Sequence, residues 1–292
     1  MYHFNSVKGV GDKMSKEKEN EGKLKRTNPV VYVLLAVGGI ITIFPFVWMI
    51  ATSFKQPWDI YNLSIIPPDP TLNNYIRLFE ESSFPRWFLN SFIVGLLVTF
   101  SVLFFDSLVG YTLCKYNFKG KKVIFILILS TMMIPTEMLI IPWYIMSNNW
   151  GWVDSYWGIM FPGIMTGFGT FLMRQFFQGV PDELLDAARI DGANEFKIWW
   201  QVAMPLVKPA ISAIAIFTFL GNWNAFLWPL IVVSQTELYT LPVGLAFFSG
   251  EFQTEWEMVM VGASVATIPV LIVFLIFQKQ IVKGIALSGL KG

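Results

Sequence analysis

Two carboxylates stand inside stretches of the sequence that are otherwise apolar, and they are the first candidates for chemistry. Asp106 interrupts an apolar run, and Glu137 lies between Pro135 and Pro142. Because burying a charged carboxylate among apolar groups is costly, an acid in such a place is a candidate functional site. Each side chain could line a polar path or couple transport to a proton. Each could instead serve structure alone, through a hydrogen bond between helices or, for Asp106, a bridge to Lys115.

The sequence offers few other groups for catalysis or metal binding. It contains one histidine, His3, and one cysteine, Cys114, which excludes His-based metal sites, His-based triads and an internal disulfide. It has no phosphate-binding loop of the G-x-x-x-x-G-K-[ST] kind, no H-E-x-x-H motif and no G-x-S-x-G elbow. If the protein moves a substrate uphill with ATP, another chain must therefore bind the ATP, and we expect no cofactor in this chain.

The composition indicates an integral membrane protein. Of 292 residues, 54% are hydrophobic and 14% are charged, whereas soluble domains carry about 25% charged residues. Lysine and arginine number 21 against 20 aspartate and glutamate residues, a balance that excludes a nucleic-acid-binding chain. The 27 phenylalanines and 12 tryptophans are typical of membrane spans and their interfaces.

Six segments are apolar enough and long enough to cross a membrane as helices. About 20 apolar residues at about 1.5 Å each cross a hydrocarbon core of about 30 Å, and lipid cannot satisfy a non-helical backbone. The predicted fold is therefore an all-α integral membrane protein with six transmembrane helices. Their predicted bounds are Val30–Ala51, Phe88–Leu113, Val123–Met146, Ser155–Met173, Pro209–Val233 and Met258–Phe277.

The distribution of basic residues predicts that both termini are cytoplasmic. The two ends of the chain and the loops after the second and fourth spans hold 18 of the 21 lysines and arginines. Cytoplasmic segments of membrane proteins are enriched in these residues. We therefore expect a disordered basic extension over residues 1–29, a transmembrane domain over 30–282 and a cytoplasmic tail over 283–292.

The most informative segment is the cytoplasmic loop 178–206, between the fourth and fifth predicted spans. Its sequence predicts two short helices, because Pro181 suits a first helical position, Gly192 a left-handed helix end and Asn194 a helix cap. The second helix carries an apolar stripe at i, i+3, i+4 and i+7, formed by Phe196, Trp199, Trp200 and Ala203. Such a helix pair predicts docking of a partner. The alternative is a helix that lies on lipid headgroups.

The same loop resembles a family motif. The order Asp186-Ala187-Ala188, three residues, Gly192, nine residues and Val202-Ala203-Met204-Pro205 resembles the E-A-A-x3-G-x9-I-x-L-P loop of the membrane subunits of binding-protein-dependent ABC importers. The departures, Asp for Glu, Val for Ile and Met for Leu, are conservative. Segment 219–230 resembles the W-N-x-F-x-x-P segment of carbohydrate-importer permeases, and tail 283–292 resembles the ending of their MalG-type second permease.

The resemblance implies a type I ABC importer permease architecture in a bacterial cytoplasmic membrane, and a set of partners. A homologous second permease would complete the pathway, two ATPase subunits would bind ATP and Mg, and an extracytoplasmic solute-binding protein would deliver a sugar. The residues implied for coupling to the ATPase are Asp186, Ala187, Ala188, Gly192, Ala193, Phe196 and Pro205. Those implied for the pathway are Asn222, Trp223 and Asn224, with Glu137 as a further candidate.

A different class of function stays open on the sequence alone. An ion- or proton-coupled secondary carrier that uses Glu137 and Asp106 would need no partner subunits and often has an inverted internal repeat. The sequence shows no convincing repeat, and the predicted spans contain no arginine, lysine or histidine to complete a proton relay. A membrane-embedded enzyme is disfavoured, since the chain lacks a nucleophile and base pair.

Overall fold

Helices dominate the part of the chain that the structure, a computed structural model, describes: residues 29–250 and 254–289, with side chains as far as 278. The predicted basic extension up to residue 28 lies outside the described residues, as do the side chains of the predicted tail 283–292.

The α-helices are numbered here in chain order. They are α1 Pro29–Ser53, α2 Asn73–Glu80, α3 Phe84–Lys115, α4 Lys121–Thr131, α5 Ile140–Trp150, α6 Tyr156–Met160, α7 Gly167–Phe177, α8 Asp182–Ile190, α9 Glu195–Lys197, α10 Met204–Leu206, α11 Lys208–Trp223, α12 Leu227–Val232, α13 Leu241–Ala246 and α14 Trp256–Gly289. Short 3-10 helices cover Pro57–Asp59, Thr136–Leu139, Phe161–Gly163 and Thr236–Leu238, and a π-helix covers Ile198–Ala203.

The chain divides into two units, the first of which ends at Trp48. The described residues of the first unit belong to the apolar helix α1, which contains Pro45 and brings the rings of Phe44 and Trp48 within 6.1 Å. The second unit begins at Met49 and holds the helices from α2 to α14 with the buried core.

Three helices are long and apolar enough to cross a membrane on their own. They are Pro29–Ser53, Phe84–Lys115 and the Trp256–Gln278 part of α14. Two helix pairs pass the same test but are bent, by 95° for Lys121–Thr131 with Thr136–Trp150 and by 87° for Glu195–Leu206 with Lys208–Trp223. By length and composition, the described residues thus contain up to five candidate spans, against six predicted.

Three of the predicted spans are not continuous helices. The third breaks before Pro135, and the fourth consists of α6, a 3-10 turn that includes Pro162, and α7, which begins at Gly167. The fifth stops at Trp223 and resumes as α12. Proline lies at the first two breaks because it lacks the backbone donor that a continuing helix needs.

Helix α3 lies at the centre of the buried core. A Cβ added at Gly110 would stand 2.8 Å from the Cβ of Met173 in α7 and 2.9 Å from the backbone nitrogen of Arg174, so α3 and α7 pack closely. Helix α11 packs on α3 through an edge-on contact of Phe88 with Trp223, whose centroids are 5.2 Å apart. These contacts place the loop between α7 and α11 at the end of α3.

Candidate functional site

The loop 178–206 folds as two short helical segments, as predicted. The first, α8, begins directly after Pro181, so this proline precedes the helix instead of occupying its first position. The second segment begins after Asn194, whose Oδ1 accepts a hydrogen bond from the backbone N–H of Lys197 at 2.9 Å. This confirms the predicted helix cap.

Gly192 ends the first segment in the predicted left-handed conformation, with a φ of +81°. Its N–H donates to the carbonyl of Arg189, and the N–H of Ala193 donates to the carbonyl of Ala188, both at 3.0 Å. These two bonds form a Schellman helix end, in which the residue at the position of Gly192 must be left-handed. A residue with a Cβ is strained at this position.

The second segment buries a different face from the one that the stripe predicted. Trp199 and Ala203 are buried, but Phe196 and Trp200 are 57% and 52% exposed. Trp199, Trp200 and Ala203 lie in the π-helix 198–203, whose i to i+5 hydrogen bonds add a residue to the turn, whereas Phe196 precedes it. The apolar face that anchors the loop is therefore narrower than predicted, and part of the predicted stripe faces outward.

Ring and ionic contacts attach the loop to the end of α3. Trp199 packs edge-on against Phe104 of α3, with ring centroids 5.6 Å apart. Lys115, the last residue of α3, donates from Nζ to Oδ1 of Asp182 and to the carbonyl oxygen of Val180, each at 2.6 Å. Lys115 lowers the pKa of Asp182 through this hydrogen bond and its charge. The first segment is thus held at its beginning and the second along its buried face.

Arg189 joins the two segments. It donates to Glu195 from Nε at 2.7 Å and from Nη2 at 3.1 Å, and to Asp186 from Nη1 at 2.6 Å. The hydroxyl of Tyr116 also donates to Glu195. The hydrogen bonds from Arg189 and Tyr116 lower the pKa of Glu195, while Glu195 and then Asp186 raise the pKa of Arg189. Burial, and then Glu195, raise the pKa of Tyr116 to about 12.

Removing Arg189 is expected to loosen the loop without unfolding the chain. Arg189→Met keeps an extended side chain and deletes two ion pairs, each worth about 0.2–1 kcal/mol at exposed positions. Amide hydrogen exchange of residues 186–195 should therefore accelerate by about two- to tenfold, as measured by mass spectrometry on the purified chain. The parent should show a smaller loosening, relative to the intrinsic exchange rate at each pH, as the pH falls through the lowered pKa of Glu195, because protonation of that acid removes one of the two ion pairs.

The matched control is Lys197→Met, which removes an exposed cation from the same loop. Its exchange should equal that of the parent. Equal exchange in Arg189→Met and the parent would contradict the assigned role of the ion pairs.

The loop presents an exposed surface around its turn. Among the residues implied for coupling, Asp186, Ala187, Gly192, Phe196 and Pro205 are exposed, and Ala188 and Ala193 are half-buried. Ile190, beside the turn, is 87% exposed. A well-fixed loop that exposes apolar side chains is suited to docking on another protein.

The residues implied for the pathway lie at the break between α11 and α12. Asn224 is exposed and Asn222 half-buried, and each side-chain amide donates to the carbonyl four residues earlier at 2.8 Å. Trp223 is only 2% exposed, since its ring stacks on Phe219 and its Nε1 donates to the carbonyl of Ala266 at 3.2 Å. Of the three residues implied for the pathway, Trp223 is thus the buried one in this structure, and its role in the pathway stays a prediction.

The two intramembrane acids occupy different environments. Glu137 is exposed in the 3-10 turn after Pro135, at the 95° bend of the third predicted span. Asp106 is fully buried and accepts hydrogen bonds from Thr166, so of the two structural alternatives it forms the bond between helices and not the bridge to Lys115.

The ionic ties of the loop are what the sequence analysis missed. Arg189 could have been found, because Asp186 stands three residues before it on a predicted helix, at a spacing that permits an ion pair. The contact between Tyr116 and Glu195 has no such signal, since these residues are far apart in the sequence and meet only through the packing of α3.

The chain is similar in sequence to a family of known proteins. Residues 106–287 match a family described as binding-protein-dependent transport system inner membrane component. The chain is similar to the arabinooligosaccharides transport system permease protein AraQ of Bacillus subtilis (strain 168), with 38% identity over 87% of this chain and 92% of that protein. It is also similar to the trehalose/maltose transport system permease protein MalG of Thermococcus litoralis, with 32% identity over 89% of this chain and 97% of that protein.

Among solved structures, the fold is similar to a chain of a bacterial ABC transporter involved in the import of the acidic polysaccharide alginate. The TM-score is 0.77 at 25% identity, over 86% of this chain and 94% of that chain.

Proposed function

The chain belongs to the family of binding-protein-dependent transport system inner membrane components, and on that premise we propose that it is a membrane-spanning permease subunit of an ATP-driven oligosaccharide importer. As a member of this family it is a transport component and not an enzyme. One observation carries the proposal beyond family membership: the loop 178–206 is held firmly on α3 and yet exposes the surface around Gly192.

In the proposed mechanism, this surface is seated on an ATPase subunit. ATP-driven closure of two ATPase subunits displaces the loop, and the displacement turns the membrane helices between outward- and inward-facing states. The residues in contact with the ATPase are the exposed members of the loop. ATP and Mg bind on the ATPase chains, since this sequence has no phosphate-binding loop.

Two further partners complete the proposed importer. A homologous permease supplies the other half of the pathway. An extracytoplasmic binding protein delivers the substrate to the outer loops, which are residues 52–86, 147–154 and 234–257 and together hold nine acidic and three basic residues. The family's description, binding-protein-dependent, supports the second of these partners.

The proposed topology has six spans in a bacterial cytoplasmic membrane, with both termini in the cytoplasm. The placement of 18 of the 21 basic residues supports this orientation. Three candidate spans and the bent α4–α5 pair support four of the crossings, and α11 supports a fifth. The remaining crossing is assigned to the broken segment formed by α6, the 3-10 turn and α7.

The substrate class is proposed from two sources. The relatives AraQ and MalG are named for arabinooligosaccharides and for trehalose and maltose, and the solved transporter imports alginate. At the break after α11, Asn222 and Asn224 offer amides to sugar hydroxyls. Trp223 lies buried between them in sequence, and its Nε1 donates to the carbonyl of Ala266 in α14.

The test is reconstitution with the partners. The chain, tagged and purified from its native membrane, should bring with it a second permease of similar size and two ATPase chains. The complex in proteoliposomes, with its binding protein and maltose or an arabinooligosaccharide, should take up sugar only when ATP is supplied. The chain purified alone should neither bind nor hydrolyse ATP. Nucleotide binding by the isolated chain, or uptake by it without partners, would contradict the proposal.

Glu137→Gln separates this proposal from a proton-coupled carrier. The substitution keeps the size of the side chain and removes the ionisable proton. In an ATP-driven importer the proton is not used, so uptake should stay within a few-fold of the parent, measured with ATP present and the proton gradient collapsed by an ionophore. A carrier that used Glu137 would lose uphill transport on this substitution. If collapse of the gradient stops uptake and Glu137→Gln reproduces the loss, the carrier is correct.

A further inference from the structure

Asp106 is a buried acid that accepts hydrogen bonds from Thr166, the residue that caps another helix. Its side chain, on α3, is fully buried. The backbone N–H of Thr166 donates to both carboxylate oxygens, at 3.0 and 3.2 Å, and the hydroxyl of Thr166 donates to Oδ2 at 2.6 Å. Hydrogen bonds of this kind offset the cost of keeping a carboxylate away from water.

Thr166 lies at the break in the fourth predicted span, directly before α7. It caps α7, and its Oγ1 accepts a hydrogen bond from the N–H of Gly169 at 3.0 Å. The Gly169 amide, the Thr166 hydroxyl and the Asp106 carboxylate thus form one chain of hydrogen bonds. The carboxylate also stands at the amino-terminal end of α7, where the helix dipole favours a negative charge.

Helices α3 and α7 are in close contact for a full turn from this bond toward their C-terminal ends. A Cβ at Gly169 would stand 2.1 Å from Oδ2 of Asp106, and one turn further along both helices a Cβ at Gly110 would stand 2.8 Å from the Cβ of Met173. The two helices therefore run in the same direction without room between them.

The same pair of helices carries the coupling loop at its other end. Helix α7 leads directly into the loop, and Lys115 at the end of α3 bonds Asp182 at the start of α8. The pair is thus joined at two levels, at Asp106 near the break and at Lys115 near the loop.

We infer that Asp106 is a positioning residue that joins α3 and α7 into one body, so that displacement of the loop 178–206 moves both helices together. This inference rests on the proposed function, since it concerns how an importer couples its loop to its helices. Without the Asp106 bond, α3 still follows the loop through Lys115, but the Thr166 end of α7 is no longer held to α3, so the two helices move unequally and ATP is hydrolysed without a matching movement of the pathway.

The experiment measures the number of ATP molecules hydrolysed per sugar taken up by the complete reconstituted importer. Asp106→Asn keeps the shape but removes the negative charge and one of the two acceptor oxygens that the Thr166 N–H and O–H use, and Thr166→Val deletes the hydroxyl. Each should raise the ratio at least about fivefold, the factor that corresponds to about 1 kcal/mol. Thr166→Ser keeps the hydroxyl and should restore the parent ratio. The double variant should be no worse than either single one.

A merely structural role predicts a different result. If Asp106 only stabilised the fold, hydrolysis and uptake would fall together with the amount of assembled complex, and the ratio would not change; that result would overturn the inference. Should Asp106→Asn fail to assemble, the comparison of Thr166→Val with Thr166→Ser decides by the same ratio. A parent complex without ATP-dependent uptake would overturn the proposed function and the inference with it. If the parent takes up sugar and the Asp106→Asn and Thr166→Val complexes keep the parent ratio of ATP to sugar, the inference alone is overturned.

Discussion

Replacing Gly192 with valine is expected to abolish ATP-driven uptake while the chain still inserts into the membrane at the parent level. The φ of +81° lies in the left-handed region, where a residue with a Cβ costs about 1–2 kcal/mol and a β-branched one more. The Schellman end of α8 should open and displace the exposed surface on either side of it. Since 1.4 kcal/mol is a factor of ten, the initial rate of uptake in proteoliposomes should fall at least about tenfold.

Gly120 provides the matched control. It also has a positive φ, +87°, and, like Gly192, it has no atom within 4 Å of an added Cβ. Gly120→Val therefore introduces the same kind of backbone strain at another exposed turn. The Gly120→Val chain should insert into the membrane normally and keep most of the ATP-driven uptake, because Gly120 is not among the residues proposed for coupling to the ATPase.

A third variant separates backbone strain from loss of the docking surface. Asparagine tolerates the left-handed region, so Gly192→Asn keeps the turn but projects a side chain into open space. If conformation alone matters, Gly192→Asn should transport and Gly192→Val should not. If the ATPase touches Gly192, both should fail. Uptake at parent rates by Gly192→Val would show that this turn does not couple the loop to the ATPase.

The sequence was sufficient to predict this turn because its signals are local. Gly192 and Asn194 act through bonds to residues three to five positions away, so their roles follow from helix-end chemistry. The π-helix that follows has no such signal. Its Trp199 packs on Phe104, a residue that only the tertiary fold brings near, and two members of the predicted stripe, Phe196 and Trp200, are exposed.

Hydropathy predicted which segments are apolar but not where their helices break. Pro135 and Pro162 mark two of the breaks in the sequence, since proline cannot continue the hydrogen bonding of a helix. The exact start of α7 depends in addition on Asp106, which lies sixty residues before Thr166 and binds it only in the folded chain. A window that moves along the sequence cannot detect such a pair.

The pathway residues show a related limit. The pair Trp223-Asn224 suggested neighbouring groups with a shared role, yet adjacent residues on a helix point in different directions. The indole of Trp223 fills the space between α3, α11 and α14, while Asn224 faces outward. Residue type could indicate a sugar-binding chemistry, but only packing decides which side chain is accessible.

Gly110→Val is expected to destabilise the folded chain strongly. An added Cβ would stand 2.8 Å from the Cβ of Met173 and 2.9 Å from the backbone nitrogen of Arg174, and neither atom can move unless α7 moves. Inserting side-chain atoms into a well-packed core costs about 1–3 kcal/mol, and the two further methyl groups of valine add to the displacement. Both the membrane level of the variant and the thermal unfolding temperature of the purified chain should fall clearly, with Gly110→Ala in between.

Gly221 in α11 is the matched control, because it too lies inside a helix but has no atom within 4 Å of an added Cβ. Gly221→Val should unfold at the parent temperature, and the comparison uses the isolated chain so that contacts with partner subunits do not enter. Parent-like stability of Gly110→Val would mean that α3 and α7 can separate at no cost. They would then not move as one body, and the route by which the loop 178–206 is proposed to drive the pathway would have to lie elsewhere.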